Sequence, residues 1–221
     1  MASDLLTQLK RQHQQCIQAL ESFDIVCDNV ITWESLEESI TPTQITLIEK
    51  MGHPQLVLTP NLRYSQIGDK INHRTPLSEA KERTILGEEN IFLYNGGRMD
   101  KNNQWEASII DLAPQDLSSL NIKHPISPST YINQVVTFYT DKGLQVLTGA
   151  RSYYALIIVL LFLKEPIEVS QEIVLNAEYV AKDPTSHISA GSWYDALVHL
   201  HLYDSETPWS VLYIYPEVRL V

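Results

Sequence analysis

The sequence predicts an α+β fold in which a helical N-terminal half packs on a mostly antiparallel sheet. Three observations support this prediction. Apolar residues recur at helical spacing through much of residues 1–90, an unusually apolar run occupies residues 150–164, and aromatic segments with alternating polarity lie near the C-terminus. A central buried helix and a C-terminal β-hairpin complete the predicted architecture.

The run at residues 150–164, ARSYYALIIVLLFLK, is the most apolar part of the chain. From Tyr153 to Leu163 it contains no charged or amide side chain. A helix that crosses a bilayer needs about 20 apolar residues, and this run is shorter. The run therefore predicts a helix that its own protein surrounds on every side, with a central strand as the alternative.

Helix signals are clear in the N-terminal half. A first helix is predicted from Ser3 to about Phe23, because apolar residues recur there at helical spacing. Its apolar stripe is Leu5, Leu9, Cys16 and Leu20. A further helix follows the capping box Thr41–Gln44, which has proline at its first helical position, and ends at Gly52. Two more helices are predicted at residues 62–72 and 76–86.

The middle of the chain mixes strand and helix signals. A short strand is predicted at Gln55–Thr59, and a hairpin is predicted to join Ile91–Tyr94 to Trp105–Leu112. Pro128–Asp141 has the apolar spacing of a helix, with Gly143 as its stop.

The C-terminal part contains one more predicted helix, Glu168–Lys182, and then the predicted hairpin. The strands of that hairpin are Trp193–Tyr203 and Trp209–Tyr215, which flank the turn-forming residues 204–208. A helix that starts at Ser192 is the alternative, because Ser192–Asp195 also fits a capping box.

Length and composition predict a single globular domain over residues 1–221, with sub-lobes at 1–90, mostly helical, and 91–221, mixed. The chain is 44% hydrophobic and 19% charged, which is typical of an ordinary folded domain. Its two cysteines, Cys16 and Cys27, are interpreted as free thiols of a reducing compartment, because no signal sequence precedes them. These features predict a soluble cytoplasmic protein.

The net charge of −11 is concentrated at the two ends of the chain. Residues 1–60 carry three basic and eight acidic side chains, and residues 166–221 carry two basic and eight acidic ones. Such a surface repels phosphate, so neither nucleic acid nor an anionic membrane is expected as a partner. A basic protein partner is favoured electrostatically.

The first functional hypothesis is a non-catalytic cytosolic protein-binding module of the acidic inhibitor or immunity type, which needs no cofactor. Tyrosine and tryptophan are enriched at interface hot spots, and acidic residues accompany them in the C-terminal segment. The residues predicted to contact the partner are Tyr203, Asp204, Glu206, Trp209 and Tyr213.

The alternative hypothesis is a metal-dependent enzyme or metal-binding protein. His199 and His201 lie two residues apart, so in a strand both imidazoles share one face, and Glu206 can add a carboxylate. Such ligands suit Zn²⁺ or Fe²⁺. His13 and Cys16 lie three residues apart on the first predicted helix, close enough for an imidazole to activate a thiol, but the position of Cys16 on the apolar stripe favours a buried, inert thiol.

Overall fold

The computed structural model describes residues 2–25, 28–62, 66–67, 70, 105–113, 116–123, 126–165, 173–175, 177–178, 188–194, 197–203 and 213–221. The helices are α1 (Ala2–Ser22), α2 (Trp33–Ser39), α3 (Pro42–Ile48), α4 (Pro128–Asp141) and α5 (Ala150–Leu163), with a 3₁₀ turn at Ser118–Leu120. The strands are β1 (Pro54–Thr59), β2 (Glu106–Asp111), β3 (Gln145–Val146), β4 (Ile173–Val174), β5 (Ile188–Tyr194), β6 (Leu197–Tyr203) and β7 (Pro216–Arg219).

A four-stranded sheet with the order β1-β2-β7-β3 organises the described residues. All of its pairs are antiparallel, and β2 pairs with β1 from Glu106 to Asp111 and with β7 from Ser108 to Ile110. The C-terminal strand β7 therefore lies inside the sheet, between two strands from earlier in the chain. This arrangement confirms the predicted α+β class.

Helix α5 is the predicted central element. Every residue from Arg151 to Leu160 is buried, and the helix ends at Lys164, whose φ of 57° is left-handed. At 14 residues it is about 21 Å long, shorter than the apolar core of a bilayer. Among the described helices, none combines the length and the apolar character that a membrane span requires.

The first helix covers the free edge of β1. Its predicted apolar stripe is buried as expected, at Leu5, Leu9, Cys16 and Leu20. The side chain of Gln12 donates to the Pro54 carbonyl at 2.9 Å and accepts from the Leu56 amide at 3.1 Å. Gln12 thus occupies the hydrogen-bonding position that a further strand would take.

The capping signals in the sequence are confirmed at two helices. Thr41 and Gln44 form the predicted capping box of α3, and α4 has the predicted bounds, followed by Gly143 at a φ of 77°. Gly52 has a different role from the predicted one. It does not adopt a left-handed φ, but a Cβ atom there would lie 2.7 Å from the Cβ of Ala113.

The structure has an antiparallel strand pair near the C-terminus, but it differs from the predicted hairpin of Trp193–Tyr203 with Trp209–Tyr215, of which residues 204–212 lie outside the described residues. β5 and β6 pair from Ile188↔Tyr203 to Tyr194↔Leu197, so the predicted strand Trp193–Tyr203 spans the end of one strand and the whole of the next. Tyr213 forms a single parallel bridge to Ile173, and the strand that follows, β7, belongs to the central sheet.

The predicted helix Glu168–Lys182 was wrong at its centre. Ile173 and Val174 form β4, which pairs with Gly191 and Ala190 of β5, because these two β-branched residues fill a strand position in the interior. Residues 177–178 are helical.

The sequence patterns did not predict helix α2, which is capped by Thr32.

Some predictions fall outside the described residues. These are Cys27, the helix 76–86, the strand Ile91–Tyr94 and most of the helix 62–72, of which residues 66–67 are helical.

Candidate functional site

The residues predicted to contact a partner are only partly described. Tyr203 ends β6, whereas Asp204, Glu206 and Trp209 lie outside the described residues. Tyr213 is 36% exposed, which makes it one of two exposed large hydrophobic side chains in the described part of the chain. Its backbone carbonyl accepts a hydrogen bond of 2.9 Å from the Val174 amide, so the main chain under the exposed ring is fixed.

Tyr213 precedes Ile214, which belongs to the same buried cluster as Ile132 and Val135 of α4. Burial, and then the proximity of Tyr213, raises the pKa of Tyr131 in the first turns of that helix. Tyrosines close to each other on a partly exposed face resemble the aromatic anchors of protein interfaces. The structure therefore brings a predicted contact residue next to a helix that the sequence patterns had not associated with binding.

The outer side of α4 contains a groove of about 380 Å³, called here the α4 groove. Its lining combines amide, hydroxyl, charged and apolar side chains. They are Leu120, Asn133, Gln134, Thr137, Phe138, Asp141 and Lys142. Within it, the Lys142 ammonium lies 3.6 Å from the centroid of the Phe138 ring, a cation–π geometry.

The N-terminal helices present an acidic surface. Between residues 12 and 49 the sequence contains seven acidic residues and no lysine or arginine, and this range is called here the acidic segment. All seven side chains are exposed: Glu21, Asp24, Asp28, Glu34, Glu37, Glu38 and Glu49. The charge of this segment therefore faces solvent.

A polar cluster surrounds Arg219 of β7. The Arg219 guanidinium donates to Glu217, to the Thr148 hydroxyl at 3.0 Å, to the Val146 carbonyl at 3.0 Å and to Glu178 at 3.2 Å. Burial alone would lower its pKa, but the charges of Glu217 and Glu178 outweigh this and raise the pKa of Arg219. The cluster links β7, the segment that precedes α5 and the residues after β4.

A second ion pair lies near this cluster. Arg151, in the first turn of α5, is 3.6 Å from Glu106 of β2. Ser108, two residues further along β2, is opposite Arg219 in the sheet, and its buried hydroxyl has no hydrogen-bond partner among the described residues. Because the carboxylates and guanidiniums of this region bind one another, the arrangement is suited to holding the layers together.

His13 and Cys16 each contact a backbone carbonyl. The Cys16 thiol donates to the Leu56 carbonyl at 3.1 Å, and burial raises its pKa to about 12. A ring nitrogen of His13 lies 2.7 Å from the Ile31 carbonyl, and its ring meets Trp33 edge to face. The interpretation of Cys16 as a buried, inert thiol is therefore supported.

The alternative metal ligands are placed on one strand. His199 and His201 lie in β6, opposite Ser192 and Ala190 of β5, and Glu206 is outside the described residues. In the part of the chain where side chains are described, no three His, Cys, Asp or Glu residues converge as ligands.

Sequence reasoning missed the α4 groove and the role of Gln12. The spacing of Phe138 and Lys142, four residues apart on a helix, was a local signal for the cation–π contact. No local signal pointed to Gln12, whose partners are more than 40 residues away. Comparisons of this chain with family profiles, with curated proteins and with solved structures found no match.

Proposed function

We propose that this chain is a non-catalytic cytosolic module that binds a basic protein, in the manner of an acidic inhibitor or immunity-type protein. The exposure of all seven carboxylates of the acidic segment carries the proposal. Exposed carboxylates without nearby basic residues in the sequence raise the rate at which a cationic partner arrives and repel nucleic acid.

The state of the interior side chains adds support. Catalysis often uses a thiol, an imidazole or a guanidinium. In this chain those groups of Cys16, His13 and Arg219 each contact a backbone carbonyl or a carboxylate of the fold. Tyr213 and Tyr131 of α4 supply aromatic side chains that a partner can contact once electrostatic attraction has brought it to the surface.

Affinity capture at two ionic strengths tests this function. The immobilised protein is incubated with cytosolic extract at about 0.05 M and at about 0.5 M salt. The higher salt concentration shortens the distance over which surface charges attract a partner. We expect a protein of high isoelectric point to be retained at the lower salt concentration and released at the higher one.

A matched pair of variants makes the test specific. Glu37→Gln with Glu38→Gln removes two charges from the acidic segment, and Asp4→Asn with Glu165→Gln removes two exposed charges elsewhere. We expect weaker retention only in the first variant. Equal retention in both variants, or a retained partner that is itself acidic, would contradict the proposal.

A metal-dependent enzyme or metal-binding protein is the second candidate function. The observation that favours it is the placement of His199 and His201 at alternate positions of β6, as the hypothesis requires. Elemental analysis of protein purified without a histidine tag distinguishes the two. About one zinc or iron per chain, lost in a His199→Ala, His201→Ala variant, would support this candidate, whereas metal-free protein would argue against it.

A further inference from the structure

The α4 groove has the side-chain composition of a site for a cation. Five of its lining residues lie in α4, Lys142 follows directly after that helix, and Leu120 belongs to the 3₁₀ turn. Phe138 presents an aromatic ring, Asp141 an exposed carboxylate, and Asn133 and Gln134 present amide oxygens. An aromatic face, a carboxylate and amide acceptors are the groups that recognise a guanidinium.

The chain already holds one cation in this groove. The ammonium of Lys142 lies 3.6 Å from the centre of the Phe138 ring. Hydrogen bonds from Ser118 hold the pKa of Asp116 below its usual value, and the positive charge of Lys142 adds to this shift. Lys142 is itself exposed, so it can leave the ring without disturbing buried contacts.

The size of the groove restricts what else can bind there. Ligand sites commonly have volumes of about 300–1,000 Å³, so a groove of about 380 Å³ has room for one long side chain and its flanking peptide. Arginine is the basic side chain that suits the lining best. Its planar guanidinium stacks on an aromatic ring and can donate to Asp141 and to an amide oxygen at the same time.

We propose that the α4 groove binds an arginine side chain of a basic partner, and that Lys142 occupies this position until the partner displaces it. The identity of the partner class rests on the function proposed above. The placement of Lys142 predicts opposite effects from two neighbouring residues. Removing the Lys142 charge strengthens arginine binding, and removing the Phe138 ring weakens it.

NMR titration with N-acetyl-L-arginine N-methylamide tests the groove directly. We expect saturable chemical-shift changes at Thr137 and Phe138, and smaller ones in a Phe138→Leu variant, which retains an apolar side chain at this partly buried position. Absence of shifts at these residues in the wild-type protein would overturn the proposal, whatever the protein binds elsewhere.

Fluorescence anisotropy with labelled hexa-arginine tests displacement. We expect Lys142→Gln to bind the peptide about threefold more tightly than Lys10→Gln, which removes the same charge from the exposed face of α1. Phe138→Leu should bind it about threefold more weakly than wild type.

These measurements and the affinity capture separate the two proposals. If the capture retains a basic protein but Phe138→Leu matches wild type and Lys142→Gln matches Lys10→Gln in hexa-arginine binding, the groove proposal fails and the proposed function stands. If the arginine derivative shifts Phe138 but the capture retains no basic protein, the proposed function fails and the groove proposal stands.

Discussion

Replacing Gln12 by methionine should destabilise the fold strongly, although the two side chains have similar size and shape. In the native protein the Gln12 amide completes the edge of β1 by donating to Pro54 and accepting from Leu56. Gln12 is only 7% exposed, so water cannot easily replace it. Methionine fills the space but offers neither a donor nor a comparable acceptor.

The expected loss follows from the two groups left behind. The amide of Leu56, a fully buried residue, would have no partner, and leaving a buried polar group unsatisfied costs about 1–3 kcal/mol. The carbonyl of Pro54, a half-buried residue, can partly regain water, so its loss is closer to about 1 kcal/mol. We therefore expect Gln12→Met to lower the free energy of unfolding by about 2–4 kcal/mol.

Urea denaturation measures this loss, and the buried residues Trp33 and Trp105 supply a fluorescence signal. Gln18→Met is the matched control, because Gln18 lies on the exposed side of the same helix and its replacement should change stability by no more than about 0.5 kcal/mol. If Gln12→Met and Gln18→Met unfold at the same urea concentration, the assignment of Gln12 as the edge partner of β1 is wrong.

Three further predictions concern the interior. Arg219→Met should lower the free energy of unfolding by about 3–5 kcal/mol in urea denaturation, because it removes the guanidinium that pairs with the fully buried Glu217. A change below about 1 kcal/mol would contradict this prediction. Gly52→Ala should lower the free energy of unfolding by about 1–3 kcal/mol, because the new Cβ atom would lie 2.7 Å from the Cβ atom of Ala113. Adding Ala113→Gly removes this contact and should restore much of the loss. A double variant that is no more stable than Gly52→Ala would refute the contact. Cys16 has a pKa of about 12 against a usual 9.0, so between these pH values the unfolded chain loses a proton that the native state keeps. As the pH rises from 9.0 to about 12, the free energy of unfolding should therefore fall more steeply in wild type than in Cys16→Ala, by about 1.4 kcal/mol per pH unit. Equal slopes in the two proteins would show that the thiol is not buried.

Sequence patterns predicted those elements whose signals are local. Helix α4 has its predicted bounds because proline begins it and Gly143 adopts the left-handed conformation that ends it. The capping box of α3 was equally readable, since Thr41 and Gln44 lie three residues apart. Helix α2 was missed because it is short and acidic, with only Trp33 and Leu36 buried.

The errors arose where distant contacts decide the structure. Ile173 and Val174 lie in a segment with helical spacing, but pairing with residues 190–191 makes them a strand. The boundary between β5 and β6 was missed because the sequence between them, Asp195 and Ala196, contains neither glycine nor proline. The α4 groove joins Leu120 to a helix that begins eight residues later, so no single window of sequence contained it.

The described residues divide into those that hold the layers together and those that face solvent. Gln12 and Cys16 attach α1 to β1, and Arg219 attaches β7 to β3 and to the segment that precedes α5, so a change in their hydrogen bonding alters the fold before it alters any binding. The seven carboxylates of the acidic segment and Lys142 are exposed, and surface substitutions usually change stability by no more than about 0.5 kcal/mol. Variants of this second set should therefore change binding while the free energy of unfolding stays constant, and this separation allows a binding function to be tested in a folded protein.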